Sequence, residues 1–581
     1  MSLTSPISTL SNISSPSSFY TAKATSPPGA GDVTNISSPD EAPVKLSYRD
    51  ARQVPHELKE HCQIHLEERL FGSAIQLLDT LLSASSARKD SAIRKPAFVP
   101  PPAQISLLST LAIHPSHTSC SKEPGELQIS SHALQYLRNL CATVGPVNAK
   151  LRAAFEFQGG SLRSARRGGL GHDGGDHGPD EDRIDGKFAN ELGIWSSAPD
   201  FWVTLGWAFH CSAAHPHRWR YWKAWLECIL EIMEADWDER YRLDMERHES
   251  RGGGSEREFP SLEDSILMMY VGSLRRERKN PLREILRALL AFADGTTVDG
   301  AVYKEVFGSE TLTPSKNKRK RTQTLDLEHG QFGDYLDDDD VFSSSQPEDP
   351  PTPTKPGPRR RGRPNKEDDC VSPATSPALA ESVQIRLRLF SLLSAACFYL
   401  PNPFAPLDEF YDKFATSVRG LPLDMFSLFI ASHTTPLENE AYISLLRHII
   451  DKLLPTHPDP RSVDPDTDDK NGVSIEILEC CFLPYAANKI FAEDNAKLSL
   501  VLEHMVRFLW MHTDMEYSTG LRKAVEAGIQ ARNEKTRSKK NGRAKSVDPA
   551  EKWARQVLDN SSQNLQIILD MMEVSDCVEV C

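Results

Sequence analysis

The chain has 581 residues, of which 39% are hydrophobic, and it carries a formal net charge of −14. This balance excludes coating of nucleic acid by the whole surface, because counterion release depends on the positive charges at the contact and therefore requires local basic islands. The sequence starts without a basic n-region and apolar core, and no apolar run approaches the roughly 20 residues needed to cross a bilayer. We therefore expect a soluble intracellular protein with no membrane contact.

The first segment, residues 1–46, is rich in serine, threonine and proline. Such a composition cannot bury enough apolar surface to offset the entropy lost on ordering. We predict a disordered tail over these residues.

An N-terminal helical block is predicted over residues 47–308. Between residues 54 and 85, apolar residues such as Leu66, Leu70 and Leu78 recur at spacings of three and four, which indicates one or two amphipathic helices. Pro146 suits the first turn of a later helix. Glycine and charged residues break the pattern over residues 159–186, where we predict a loop or disordered insertion.

Seven of the nine tryptophans lie between Trp195 and Trp237. One helical stripe in this region comprises Trp219, Trp222, Leu226, Ile229 and Met233. Tryptophan at helical spacing is favoured as packed core, with basic side chains covering its rim. The alternative is a stacking platform for single-stranded nucleic acid, in which the tryptophans would alternate with Arg218, Arg220 and Lys223.

Cysteine and histidine give no clear metal site. The eleven cysteines include no C-x-x-C pair, and Cys228, Cys397 and Cys480 lie in apolar helical patterns, so buried free thiols are predicted. A second group crowds four possible ligands together: His210, Cys211, His215 and His217. Because this group lacks a second ligand pair at zinc spacing and Pro216 indicates a turn, no metal ligands are predicted.

A C-terminal helical block is predicted over residues 381–575, with an exposed basic loop at 537–546 that could contact phosphate. Each segment has a helical period and is bounded by proline, glycine, asparagine or aspartate. The fold class is therefore all-α. The series of helix pairs resembles HEAT and armadillo-like superhelices, while the absence of a fixed repeat period leaves an irregular helical bundle as the alternative.

Residues 309–380, called the central segment below, are predicted to be a disordered linker that carries two basic islands. The first island is KNKRKR at 316–321, a run typical of segments bound by nuclear import receptors. Its basic residues, our predicted import site, are Lys316, Lys318, Arg319, Lys320 and Arg321. The alternative is a solvated linker patch. An acidic run at 337–340 separates the two islands and could mask the arginines or only keep the linker soluble.

The second island is GPRRRGRPNK at 357–366, and its core is Arg361, Gly362, Arg363 and Pro364. This stretch resembles the AT-hook, although Arg360 stands where the family often has proline. The resemblance implies that both core arginines extend along the minor groove of A·T-rich DNA, where negative potential is concentrated. The flanking residues that could meet phosphates are Arg359, Arg360 and Lys366. The alternative is a second import element.

Two predicted phosphorylation sites stand beside the basic islands. Thr313 and Thr352 each begin a Thr-Pro-x-Lys pattern that cyclin-dependent kinases prefer. A phosphate adds about −1.5 to −2 charges, which would weaken both receptor and DNA contacts nearby. We therefore predict a phosphoprotein whose nuclear entry and chromatin contact fall on phosphorylation.

The sequence contains no P-loop, dinucleotide fingerprint, nucleophile elbow or HExxH helix. We predict no catalytic residues and no cofactor, and therefore a protein that is not an enzyme. The favoured function is a nuclear, chromatin-associated helical scaffold that binds A·T-rich DNA, an import receptor and protein partners of a chromatin complex. The alternative is a helical adaptor in complex assembly or transport without a DNA role, and a third option is association with RNA.

Overall fold

A computed structural model describes most of both predicted helical blocks. The described residues are 48–84, 95–121, 123–157, 182–251, 257–292, 303–308, 310–311, 377–431, 436–454, 456–468, 472–513, 515–537 and 548–579.

The described residues before the central segment form a series of helices. These are α1 (His56–Glu67), α2 (Phe71–Ala84), α3 (Pro102–Ile113), α4 (Pro124–Val144), α5 (Leu151–Ala154), α6 (Ile194–Ser197), α7 (Phe201–Ala214), α8 (Pro216–Ser250), α9 (Pro260–Glu263), α10 (Ile266–Glu277) and α11 (Pro281–Leu289). Two short strands, Ala51–Gln53 and Ala97–Val99, pair in parallel beside them.

The remaining helices begin at Pro377, inside the predicted linker, and also vary in length. These are α12 (Pro377–Tyr399), α13 (Leu407–Arg419), α14 (Leu423–Ile430), α15 (Asn439–Leu453), α16 (Pro465–Asp468), α17 (Ile475–Ile477), α18 (Ala492–His512), α19 (Thr519–Arg537) and α20 (Pro549–Glu579). The short α17 continues into a π-helical turn, Leu478–Phe482, and the chain from 483 to 491 is not helical.

The all-α prediction is confirmed, and local sequence accounts for several helix starts. Pro102, Pro216 and Pro281 each occupy the first helical position, where the missing N–H costs nothing. The side chain of Asp200 accepts a 2.8 Å hydrogen bond from the N–H of Val203 and thereby caps α7.

The prediction of one or two helices over residues 54–85 is resolved as two, and one other local prediction needs correction. Residues 54–85 form two helices because the chain turns at Arg69, whose φ is +60°, and this turn leaves Leu70 53% exposed. Pro146 lies in a turn rather than a helix. Lys150 has a φ of +55°, so the short α5 begins only at Leu151.

Both helical blocks share one apolar core. The core runs through both blocks, from Cys62 in α1 to Met572 in α20. Across the junction, α12 lies against α8: Arg388 pairs with Glu234, and Lys223 pairs with Glu381 at 3.0 Å. The chain therefore returns from the central segment to the same body that it left.

Asp238 on α8 supports a prediction about pH. Burial raises the pKa of this carboxyl group to about 7, and the charge of Glu234 adds to the effect. Because the pKa in the folded protein exceeds its unfolded value, the fold is more stable with the Asp238 carboxyl group neutral than with it charged. This contribution to the free energy of unfolding is complete below about pH 4 and is lost as the pH rises through 7. We expect Asp238→Asn to stabilise the fold at pH 8 by about 2 kcal/mol more than at pH 5, since one pKa unit corresponds to about 1.4 kcal/mol.

The measurement is chemical denaturation at both pH values. Glu246→Gln on the same helix is the matched control, because the Glu246 side chain is 54% exposed and pairs with Arg242 at the surface. Equal effects of Asp238→Asn at both pH values would contradict the prediction.

Candidate functional site

The sequence-predicted site residues lie outside the described part of the chain. This applies to the predicted DNA-binding residues Arg359, Arg360, Arg361, Gly362, Arg363, Pro364 and Lys366. It applies equally to the predicted import residues Lys316, Lys318, Arg319, Lys320 and Arg321, and to Thr313 and Thr352. Of the basic loop at 537–546, only Arg537 is described, at the end of α19. The structure does describe both points at which the central segment joins the helical body.

At its first end, the central segment is anchored by a buried carboxylate. Glu310 is fully buried, and its Oε1 accepts hydrogen bonds from Arg218 Nε at 2.6 Å and from the indole N–H of Trp222 at 2.7 Å. Its Oε2 accepts from the indole N–H of Trp207 at 2.8 Å and from the backbone N–H of Phe307 at 3.3 Å. Four donors thus converge on one carboxylate, which satisfies its charge away from water.

The guanidinium of Arg218 extends this network to α3. Arg218 is also fully buried, and its Nη1 donates to Thr118 Oγ1 while its Nη2 donates to the carbonyl oxygen of Ile113, both at 2.6 Å. The ion pair therefore fixes Glu310 to helix α8 and to the end of α3 together. Such a pair is stable in the interior only because its remaining donors and acceptors are bonded.

A glycine lets the residues just before the central segment lie against α7. A Cβ at Gly206 would stand 2.2 Å from the ring of Tyr303, so only glycine allows this aromatic ring to touch the helix backbone. This close approach adds a packing contact to the polar anchor at Glu310.

At its second end, the central segment is anchored by Arg386 on α12. The Nη1 of Arg386 donates to the carbonyl oxygen of Leu289, and its Nη2 donates to that of Ala291 at 2.9 Å. Its guanidinium carbon lies 4.0 Å from the ring centroid of Phe209 and 4.6 Å from that of Phe292. Complete burial lowers the pKa of Arg386, and these carbonyl and aromatic contacts replace the water that the cation has lost.

Both anchors meet on α7. Trp207 binds Glu310, and Phe209, two residues further along, packs on Arg386. The described residues on either side of 312–376 are therefore both held against one helix.

The tryptophan-rich region is core, as favoured from the sequence. All five members of the predicted stripe are buried, and Trp219 and Trp222 expose 2% and 0% of their surface. The basic residues beside them are engaged: Arg218 in the buried network, Arg220 over the ring of Tyr221 at 4.5 Å, and Lys223 with an acid of α12. This stripe thus offers no open face on which bases could stack.

The histidine and cysteine group lies at the junction of α7 and α8. His215 is the single residue between these helices, and its ring centroid is 6.0 Å from that of His210. Cys211 is buried. Within the described residues, no group of three or more histidine, cysteine or acidic side chains could hold a metal ion. Cys228 and Cys397 are buried as predicted, but the π-helical turn leaves Cys480 exposed and buries Cys481 instead.

The sequence interpretation missed the anchors because each depends on distant partners. Glu310 was assigned to the linker, whereas it is buried with Val306 and Phe307. That apolar pair just before the charged linker was a signal that could have extended the folded block. Arg386, inside the apolar run VQIRLRLF, was a second signal of a buried cation.

The described part of the chain contains no helix that is both long and apolar enough to span a membrane. Searches with protein-family models and against curated proteins found no match to this chain.

Proposed function

We propose that the protein is a nuclear, chromatin-associated scaffold. Its helical body binds protein partners of a chromatin complex, and its central segment binds an import receptor through residues 316–321 and A·T-rich DNA through residues 357–366. The observation that supports the proposal is the attachment of both ends of the central segment to α7, through Glu310 and Arg386.

This attachment limits where the basic islands can act. Lys316 follows the fixed Glu310 by six residues, so the two Cα atoms are at most about 22 Å apart. Pro364 precedes Pro377, the first residue of α12, by thirteen residues and lies within about 47 Å of it. A single hook contact is weak, so a partner that holds the body near DNA would raise the effective concentration of the hook there.

The test of DNA contact compares the whole protein with the Arg361→Ala/Arg363→Ala variant on A·T-rich and G·C-rich duplexes at two salt concentrations. We expect the wild type to prefer A·T-rich DNA and the variant to lose that preference, because the two core arginines occupy the narrow groove. The matched control is Arg359→Ala/Arg360→Ala, which removes the same charge. The control should keep the A·T preference while the dependence of log K on log salt falls by about 2.

Equal, weak and salt-sensitive binding of both duplexes by the wild type and the core variant would reject the hook. That result would favour the alternative function, a helical adaptor whose basic islands serve localisation alone.

A second prediction concerns Thr313 and Thr352. We expect Thr313→Glu/Thr352→Glu to lower the nuclear fraction and the retention on chromatin, because negative charge beside each basic island weakens its contacts. The measurement is the nuclear-to-cytoplasmic ratio of a fluorescent fusion together with its recovery after photobleaching. Thr313→Ala/Thr352→Ala is the control and should not reduce either quantity. Unchanged localisation and retention in the glutamate variant would contradict regulation at these sites.

A further inference from the structure

A surface cavity lies between the end of α15, the irregular stretch 483–491 and helix α19. Its volume is about 260 Å³, and its walls are formed by Leu454, Thr456, Tyr485, Ala486, Asn488 and Lys535. Thr456 and Asn488 are exposed, so the cavity is accessible from solvent, and both side chains can form hydrogen bonds. It is smaller than the roughly 300–1,000 Å³ pockets that enclose whole small ligands, which suits a single chemical group of a larger partner.

A buried cation stands directly behind the cavity wall. Arg532 is fully buried, and its Nη1 donates to the carbonyl oxygens of Leu483 and Tyr485, both at 3.2 Å. Among the described residues, its Nε and Nη2 have no hydrogen-bond partner, and no carboxylate forms an ion pair with it. Burial lowers the pKa of Arg532 to about 10, so the guanidinium is still charged at neutral pH.

Two other arginines in the described part of the chain are fully buried, and both are compensated differently. Arg218 has the carboxylate of Glu310, and Arg386 has two carbonyl oxygens and two aromatic faces. Arg532 has two carbonyl oxygens but neither a carboxylate nor an aromatic face among the described residues. A buried charge with so few partners is costly, so the positive potential around Arg532 favours an anion nearby.

The local charges agree with an anion in the cavity. Lys535 lies one helical turn beyond Arg532 on α19, and it forms no ion pair with the described acidic side chains. The acidic group near the end of α15, Asp451, already contacts His457 Nε2 at 3.3 Å. The cavity thus combines the ammonium group of Lys535 with two neutral hydrogen-bonding side chains, and the buried guanidinium of Arg532 lies behind its wall.

We propose that this cavity receives the phosphate of a phosphorylated serine or threonine in a partner peptide. Lys535, Thr456 and Asn488 would contact the phosphate oxygens, and Arg532 adds attraction through the wall. A peptide fits better than a nucleic-acid backbone because Ile490 and Phe491, which follow Asn488, are 48% and 54% exposed and offer apolar contact to a neighbouring peptide side chain. A sugar-phosphate backbone has no such group. This site is separate from the hook motif of the proposed function.

The test uses two fluorescent pools of nonapeptides that are random except at the centre, which is phosphoserine in one pool and serine in the other. Fluorescence anisotropy with the full chain should show at least tenfold tighter binding of the phosphoserine pool. Lys535→Ala should reduce that binding at least fivefold. Adding Thr456→Ala to the same variant should reduce the binding further. Lys523→Ala is the matched control, because Lys523 is exposed on the same helix and its loss changes the charge equally.

Failure of the phosphate site can be distinguished from failure of the hook. The Arg361→Ala/Arg363→Ala variant should bind the phosphoserine pool as the wild type does, since it keeps the cavity intact. Equal binding of both pools, or the same affinity in Lys535→Ala and Lys523→Ala, would overturn the phosphate site. Loss of binding to a G·C-rich duplex in Lys535→Ala, without a preference for phosphopeptide, would overturn it in favour of a nucleic-acid contact.

Discussion

Replacing Glu310 by alanine is expected to lower the free energy of unfolding by about 3–5 kcal/mol, the range for removing one partner of a buried ion pair. The change leaves the fully buried guanidinium of Arg218 without its carboxylate and deprives the indole N–H groups of Trp207 and Trp222 of their acceptor. Each of these groups would then remain desolvated without a partner, which is the costly part of the substitution.

Chemical denaturation of the whole chain measures this effect, and limited proteolysis reports whether residues 303–311 detach. Glu305→Ala is the matched control, because Glu305 is an exposed carboxylate in the same segment that accepts hydrogen bonds from the backbone N–H of Glu310 and from Thr311. We expect that variant to lose no more than about 1 kcal/mol. A similarly small loss in Glu310→Ala would mean that the network does not anchor the central segment.

Replacing Gly528 by alanine is expected to destabilise the protein by about 3 kcal/mol or more, the upper part of the range for overpacking. A Cβ at this position would stand 1.8 Å from the carbonyl oxygen of Leu483 and 2.9 Å from Nη1 of Arg532. Because the nearer atom belongs to the backbone, no side-chain rotation can relieve the clash, and helix α19 must move away from the irregular stretch 483–491.

Gly272→Ala is the control for this substitution. Gly272 lies inside α10 with no atom within 4 Å of the added Cβ, so alanine there should stabilise the helix by about 0.5–1 kcal/mol. Denaturation midpoints of the two variants should therefore shift in opposite directions. Gly528→Ala should also weaken binding of the phosphoserine pool, since the displaced stretch carries three of the cavity residues. Unchanged stability in Gly528→Ala would contradict the close contact with Leu483.

The part of the fold that the sequence predicted is the part governed by neighbours along the chain. Apolar spacing predicted the all-α class, and Pro216 marked the turn before α8, whereas Pro377, the first residue of α12, had been assigned to the linker. The tryptophan stripe was favoured as core because large apolar residues at helical spacing gain most by burial. The corrected positions, Pro146 and Cys480, lie where a left-handed residue or a π-helical turn changes the local geometry.

The predicted function rests on residues 316–321 and 357–366, whose short motifs can be recognised from the amino-acid sequence alone. The anchors and the cavity could not be recognised in this way. Glu310 meets donors about 90 and 100 residues earlier in the chain, and the cavity joins α15, residues 485–488 and α19. A charged residue in a sequence is ordinarily solvated, and only packing of distant helices removes its water and requires a partner. Tertiary structure therefore decided that both ends of the central segment meet at α7 and that Arg532 lies buried behind a surface cavity.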